Sequence, residues 1–335
     1  MRRRHLHYLV CPQCRTGGLD AEAERETAGQ IETGTLACSA CGATYPIVRR
    51  IPRFVPMSTY ADGFGLQWMK HARTQYDSVS GTTISHDRFF GQTGWPEDLR
   101  GETILEVGCG AGRFTEQAAA TGATVVSTDL SVAVEANDAS NGGKENVLIV
   151  QADLYHLPVR EGGFSRLFCF GVLQHTPDPA RAFSALPRFL SPGGRLAIDV
   201  YRRWGRFKQL TITKYWARRL TRGMAPERLY HLCERYLAFM WPVVNIMRSI
   251  PVVGTRLLWR LLIADHSRTF ALSDAQLREW AVLDTFDMLS PVYDEPQTVG
   301  TVEEWFRGAG LDEIRVEGRN ALVVGRGRRP PEAGG

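Results

Sequence analysis

The stretch Thr103-Ile-Leu-Glu-Val-Gly-Cys-Gly-Ala-Gly-Arg113 constrains the fold more than any other part of the chain, because an apolar run breaks into glycines at alternate positions, Gly108, Gly110 and Gly112. Such a run reads as a buried strand that delivers its end to a ligand. Glycine lets the backbone turn with positive φ and come closer to a bound molecule than a side chain would allow. The helix expected over residues 113–120 directs its N-terminal N–H groups at the same place. A tight strand-to-helix turn also uses glycine for its own sake, so the spacing alone leaves both readings open.

Two acidic strand ends bear on that choice. Thr124-Val-Val-Ser-Thr-Asp129 ends in a carboxylate about 20 residues after the glycines, where nucleotide-binding sheets carry the acid that accepts ribose hydroxyls. Val147-Leu-Ile-Val-Gln-Ala-Asp153 reads as a third strand and again ends in Asp. Either Asp alone would suit a helix N-cap, but one glycine-rich and two acidic strand ends in succession describe one crevice. Residues 165–171 and 195–201 read as a fourth and fifth buried strand, with Ser191-Pro-Gly-Gly194 as a turn before the fifth. Residues 301–309 read as a helix, and residues 313–318 and 321–325 as a closing hairpin.

With these segments in order, the chain resembles the class I S-adenosylmethionine-dependent methyltransferases, especially the small-molecule, type 11-like group. The matching residues are Glu106-Val-Gly-Cys-Gly-Ala-Gly112, Asp129, Asp153, Phe170-Gly-Val-Leu-Gln-His175 with Asp178-Pro179, and Leu190-Ser-Pro-Gly-Gly194. The resemblance implies an α/β fold: a seven-stranded, doubly wound, mostly parallel sheet with an antiparallel last strand. It implies S-adenosylmethionine as cofactor, with Glu106, Gly108, Gly110 and Gly112 at its methionine half and Asp129 and Leu130 at the ribose. Asp153 would meet the adenine amino group, with Leu154 and Leu157 near the ring, and Gly171 would line the same site. His175 would lie at the methyl end, as a positioning group or a proton acceptor. A nicotinamide dehydrogenase is the competing use of such a sheet; the second acidic strand end and the Val-Leu-Gln-His segment favour the methyl donor.

Cys11-Pro-Gln-Cys14 and Cys38-Ser-Ala-Cys41 form two knuckles separated by 23 residues, close to the spacing of a four-thiolate zinc ribbon. Four thiolates leave no open position, so Zn2+ here is expected to be structural. Redox or disulfide use is the alternative. Arg2-Arg-Arg4 is not followed by the apolar core of a secretion signal before Cys11, which leads to a cytoplasmic expectation. Tyr45-Pro-Ile47 and Ile51-Pro-Arg-Phe-Val-Pro56 resemble the small ribbons that accompany bacterial methyltransferases, including those acting on ribosomal and transfer RNA. Cys109, Cys169 and Cys233 lack partners at ligand spacing and read as small buried hydrophobes.

Hydrophobic content of 44% and charged content of 23% in 335 residues are ordinary for a globular chain and exclude a disordered or fibrous one. Charge is segregated, however. Residues 201–260 hold thirteen Lys or Arg against Glu227 and Glu234, a balance of +11 in a chain of net +4. Tyr215, Trp216, Tyr236, Phe239, Trp241 and Trp259 interleave with those cations. Prolines and arginines interrupt residues 239–264 before any membrane-spanning length is reached. Three readings stay open: a solvated lid, a lid that touches a membrane peripherally through residues 201–264, and an RNA surface working with Arg2 to Arg4, Arg49, Arg50 and Arg53 of the ribbon.

The expected division is a zinc ribbon over 1–56, a helical cofactor-covering linker over 57–100, a methyltransferase core over 101–200 and 297–327, a basic helical lid over 201–296, and a disordered tail over 328–335. In the linker, Trp68, Tyr76 and Phe90 either roof the site or pack the domains together. In the lid, Tyr293 and Asp294 of the loop Ser290–Pro296 are candidates to order a polar acceptor, or belong to a plain helix lead-in; Asp265-His266 is a further candidate or a surface turn. The expected reaction is methyl transfer to a small-molecule or lipid-linked acceptor. An RNA methyltransferase and a non-catalytic scaffold are the alternatives.

Overall fold

The structure is a computed structural model that describes residues 1–56, 59–205, 211–250 and 253–332. The chain opens with a four-stranded antiparallel sheet, β1 (Leu19–Thr27), β2 (Gln30–Cys38), β3 (Thr44–Val48) and β4 (Ile51–Pro52), paired in that order. Three helices follow, α1 (Asp62–Lys70), α2 (Asp77–Ser80) and α3 (Ile84–Thr93). The next segments alternate strand and helix: β5 (Thr103–Val107), α4 (Arg113–Ala120), β6 (Thr124–Asp129), α5 (Val134–Asn141), β7 (Val147–Gln151), β8 (Phe164–Phe170), α6 (Pro179–Ser184) and β9 (Leu190–Tyr201). The insertion carries α7 (Thr213–Thr221), α8 (Pro226–Arg248), α9 (Val253–Arg260) and α10 (Asp274–Leu289). The chain then returns through α11 (Val299–Gly308) to β10 (Asp312–Arg319) and β11 (Leu322–Arg328).

The large sheet has the order β10-β11-β9-β8-β5-β6-β7. All neighbouring pairs from β9 to β7 are parallel, and β11 lies antiparallel between β9 and β10. The expected seven-stranded, mostly parallel sheet with an antiparallel last strand is present. Its strands are apolar on both faces because helices cover both. Alternate residues divide accordingly: Leu105, Val107, Leu167 and Cys169 join one core, while Ile104, Phe168 and Phe170 join the other with Phe89 and Phe114. Strand order reverses at β5 and β8, and at such a switch point doubly wound sheets bind ligands beyond the strand carboxyl ends.

Two boundaries differ from expectation. Ser191 to Gly194 are not a turn ahead of the fifth strand but part of the start of β9, which meets β8 through a register shift. The terminal tail begins later than residue 328: Arg328 belongs to β11, and Arg329 exchanges main-chain hydrogen bonds with Gly193 and Gly194. The last three residues lie outside the described ones, as do Arg206 and Lys208 of the basic stretch.

The ribbon shares a core with the large sheet. Leu9, Ile31, Leu36 and Ile47 pack in one cluster with Leu148, Val150 and Leu157. Arg53 pairs with Gln151 as a parallel bridge at the β7 edge, and Phe54 N–H donates to the Gln151 carbonyl at 2.9 Å. The insertion builds its own cluster from Leu237, Trp241, Val244, Leu258, Leu277 and Ala281. A capping box, Ser273 with Gln276, starts α10.

Candidate active site and cysteine cluster

The carboxyl ends of β5, β6, β7, β8 and β9 meet at one cavity of about 660 Å³, lined among others by Gly108, Gly110, Asp129, Asp153, Gly171 and Tyr201. That size suits a small-molecule site. After β5 the backbone takes positive φ at Gly108, Gly110 and Gly112. A Cβ on Gly108 would fall 2.1 Å from Val172, and one on Gly112 would fall 2.1 Å from Asn137, so neither position admits a side chain. Gly110 N–H donates to Asp129 Oδ2 at 2.8 Å, which ties the glycine loop to the end of β6.

Asp129 Oδ1 accepts from Ser131 N–H at 2.8 Å and from the Ser131 hydroxyl at 2.7 Å. Three of its four acceptor positions are therefore filled, and Oδ2 retains one. Burial raises its pKa, and the hydrogen bonds from Ser131 and Gly110 oppose the rise. Asp153 caps the short turn Leu154–His156 by accepting from Tyr155 N–H at 3.0 Å, so the capping role and the place at the cavity coexist. Leu130 and Leu154 line the same end. Glycines that admit close approach and two carboxylates with spare acceptor capacity fit a nucleoside with ribose hydroxyls and an exocyclic amine.

Glu106 and Gly112 do not line the cavity. Glu106 lies on the β5 face that α4 covers, where it accepts from the Thr115 hydroxyl at 2.5 Å and the Ser127 hydroxyl at 2.7 Å. Burial pushes its pKa up to about 7 against those bonds. Gly112 instead packs at the α4 N-terminus against Asn137 and Tyr76. Both support the loop from below.

Two of the three expected roof aromatics are there. Trp68 Nε1 would lie 3.0 Å from a Cβ on Gly110, and Tyr76 OH donates to the Ala111 carbonyl at 2.6 Å; both line the cavity. Phe90 does not, because it packs edge-on to Phe89, 5.0 Å between ring centres, at the back of the sheet.

His175 lines the cavity past β8. Its Nδ1 lies 2.9 Å from the Tyr293 carbonyl, and since a carbonyl only accepts, Nδ1 carries the proton and Nε2 keeps its lone pair. Burial lowers the His175 pKa, opposed by Asp287 and Asp294. The ring sits between Phe64 and Tyr201, with centroids at 5.0 and 5.3 Å.

The loop Ser290–Pro296 serves differently from the expectation. Tyr293 contributes its main-chain carbonyl, and its ring meets Tyr60 edge-on rather than the cavity. Asp294 is buried away from the cavity in an ion pair with Lys214 at 2.8 Å, with Arg218 at 3.7 Å. Two cations next to it in the fold, though distant in sequence, account for the difference.

The insertion brings its own residues to the cavity. His266 Nε2 lies 2.6 Å from Asp284 Oδ2; burial lowers the His266 pKa, but the Asp284 contact outweighs it and the net shift is upward. Asp287 accepts from Tyr201 OH at 2.9 Å, and burial raises its pKa. Asp199, fully buried in β9, accepts from Gly171 N–H at 2.5 Å and pairs with Arg88 at 2.6 Å, fixing the turn after β8. Sequence reading missed these acids, yet signals exist. Asp199 interrupts the apolar run Leu196-Ala-Ile-Asp-Val200, and Asp284 and Asp287 fall one turn apart in the apolar stretch Trp280–Leu289.

In the ribbon the four Sγ atoms of Cys11, Cys14, Cys38 and Cys41 all lie within 4.8 Å of one another, with Cys11 to Cys41 and Cys14 to Cys38 both at 3.6 Å. Sulfur-metal bonds of about 2.3 Å at tetrahedral angles require separations of roughly 3.8 Å, so the set fits a tetrahedral ion. The Thr16 hydroxyl and the N–H groups of Thr16 and Gly17 push the Cys14 pKa down to about 5. A Cβ on Gly17 would fall 2.4 Å from Cys38 Sγ, which explains glycine there.

Residues 105–198 match the profile of the family described as Methyltransferase domain. This segment is a methyltransferase domain. Residues 2–49 match the family described as Trm112p-like protein. It is 33% identical over 131 residues to a ubiquinone biosynthesis O-methyltransferase of Xanthomonas oryzae pv. oryzae, covering 38% of this chain and 55% of that protein. The same figures for the Thiobacillus denitrificans protein of that name are 33% over 131 residues, 37% and 56%. The chain thus spans about half the length of the curated relatives it matches. A solved S-adenosylmethionine dependent methyltransferase from Mesorhizobium loti superposes with TM-score 0.41 at 19% identity, covering 70% of this chain and 94% of that one. A complex of the Haloferax volcanii Trm112 methyltransferase activator with a putative methyltransferase gives 0.44 at 12%, covering 80% and 98%.

Proposed function

We propose that this methyltransferase transfers a methyl group from S-adenosylmethionine to a small-molecule or lipid-linked acceptor held beneath the insertion, and that the four ribbon cysteines hold a structural Zn2+. One observation carries the reading: the cavity that begins at Gly108, Gly110, Asp129 and Asp153 continues without a wall to Tyr201, Asp284 and Trp280 of the acceptor side. When bound, the cofactor supplies an electrophilic methyl on a sulfonium, and alignment with exclusion of water contributes much of the acceleration.

The side chains of this chain divide that work. Glycines 108 and 110 admit the ligand, Asp129 holds ribose hydroxyls, and Asp153 holds the adenine amine. Trp68 and Tyr76 shut out water. His175 is neutral, and Nε2 can take a proton from an acceptor hydroxyl while Nδ1–H stays on the Tyr293 carbonyl. Phe270 and Trp280, stacked with centroids 5.2 Å apart, give the acceptor end an apolar wall. The relatives named as O-methyltransferases support oxygen as the atom methylated.

An RNA acceptor is the second reading, favoured by the Trm112p-like match. Against it, Arg49 and Arg53 of the ribbon pair with Glu135, and Arg50 pairs with Asp138, so these cations hold the core. Incubation with labelled donor and separate lipid, soluble-metabolite and RNA fractions tests the choice. Label is expected in lipid or metabolite. Label in RNA alone overturns the acceptor class, and donor binding with no transfer to any fraction favours the scaffold. For His175→Gln we expect a rate loss of about 100-fold. Because its pKa is lowered, the wild-type rate should fall only below the ordinary imidazole range, and the variant should lose that acid limb.

A further inference from the structure

We propose that the outer face of the insertion is a docking surface for an anionic lipid bilayer. The helix α8 is apolar on two sides. One side, Leu237, Trp241 and Val244, is buried in the insertion core. The other presents Leu232, Phe239, Val243 and Ile246 at spacings of seven, four and three, a single stripe on a helix. Phe239 is 80% exposed and Ile246 66%. Val253, at 62%, and Leu257 continue the apolar surface onto α9, which packs against α8. A lid that merely covers a cavity needs only its inner side apolar. Leaving such residues in water forgoes the stabilisation that their burial would bring.

The charges around the stripe complete the argument. Arg218 and Arg248, which face inward, find Asp294 and Asp265. Among the described residues, Arg228, Arg235, Arg256 and Arg260 are in no ion pair. Arg228 and Arg235 lie along one edge of the stripe on α8, while Arg256 and Arg260 lie on α9. Unpaired guanidinium groups bordering exposed aliphatic side chains complement a surface of lipid phosphates over acyl chains. An RNA partner would be served by stacking aromatics, and Leu232, Val243, Ile246, Val253 and Leu257 have no face to stack. Among the described residues no helix is long and apolar enough to cross a membrane, so the contact lies along the surface. Arg260, on the same side of α9 as Val253 and exposed, also lines the cavity, which places the acceptor end of the cavity beside the bilayer.

The consequence for the acceptor rests on the methyl-transfer reading; the docking itself is measured without it. The full-length protein is sedimented with vesicles of phosphatidylcholine, alone and with added phosphatidylglycerol, at rising salt. Binding to the anionic vesicles that weakens with salt is expected, with a loss of about tenfold or more in F239S/I246S and in R235E/R256E. Thermal melting and S-adenosylmethionine calorimetry of both variants should match wild type, which separates lost docking from a damaged fold or donor site. Wild-type protein that stays in the supernatant with both vesicle types overturns the proposal. So does F239S/I246S binding the anionic vesicles as wild type does, or RNA binding lost in R235E/R256E with vesicle binding intact.

Discussion

The ribbon and the insertion are both appendages rich in arginine, yet the fold uses their cations in opposite ways. Arg49, Arg50 and Arg53 of the ribbon are turned onto Glu135 and Asp138, and the ribbon core merges with that of the large sheet. The insertion leaves Arg228, Arg235, Arg256 and Arg260 outside and surrounds them with exposed apolar residues. A basic segment is thus no indicator of a partner until the acids that could neutralise it are located. The ribbon already has its partner, the β7 edge next to Asp153; the insertion is complementary to something beyond the chain.

The ribbon's own strands depend on the cysteine cluster. The largest effect is expected for Cys14→Ser, which should abolish metal retention and melt the ribbon ahead of the sheet, since structural zinc supplies on the order of 10 kcal/mol of folding free energy in small domains. Metal content by mass spectrometry and scanning calorimetry check both parts. Ribbon melting unchanged in the variant would break the comparison.

Next in size is the contrast of Arg53→Met with Arg235→Met. The first removes the cation buried between Gln151 and Glu135 and should cost about 3 kcal/mol in urea unfolding. The second removes an exposed, unpaired cation and should stay within about 0.5 kcal/mol. Similar losses for the two would erase the distinction between the regions.

A comparable effect, but one visible only through pH, belongs to Glu106 under the glycine loop. Its pKa rises from 4.5 to about 7 on folding. A carboxyl group raised in this way contributes most below its unfolded value and loses that contribution as pH rises through the folded one. Wild-type stability relative to Glu106→Gln should therefore decline between pH 4.5 and about 7 by up to about 3 kcal/mol. A flat difference would show that Glu106 does not carry the burial cost.

The same contrast marks what sequence can disclose. The sheet and its crevice were legible because each strand is a short apolar run and each functional end, Gly108, Asp129 and Asp153, follows it directly. The local chain sets those positions. Glu106 was legible in part: alternation along β5 puts it on the face of Ile104, beneath α4, although the resemblance pointed it at the ligand. Tyr293 and Asp294 were not legible, because their roles depend on His175, Lys214 and Arg218, which only tertiary packing brings near. For the same reason the pairing of the ribbon arginines with α5 could not be read from charge counts.

The central claim is that one crevice at the carboxyl ends of five strands binds a sulfonium nucleoside through Asp129 and its neighbours. Titration calorimetry of S-adenosylmethionine into wild type and Asp129→Ala tests it most directly. One site per chain is expected in wild type, and an affinity loss of about tenfold to 100-fold in the variant, with an unchanged melting temperature. Equal affinity in the two proteins, or no binding to wild type, would contradict it.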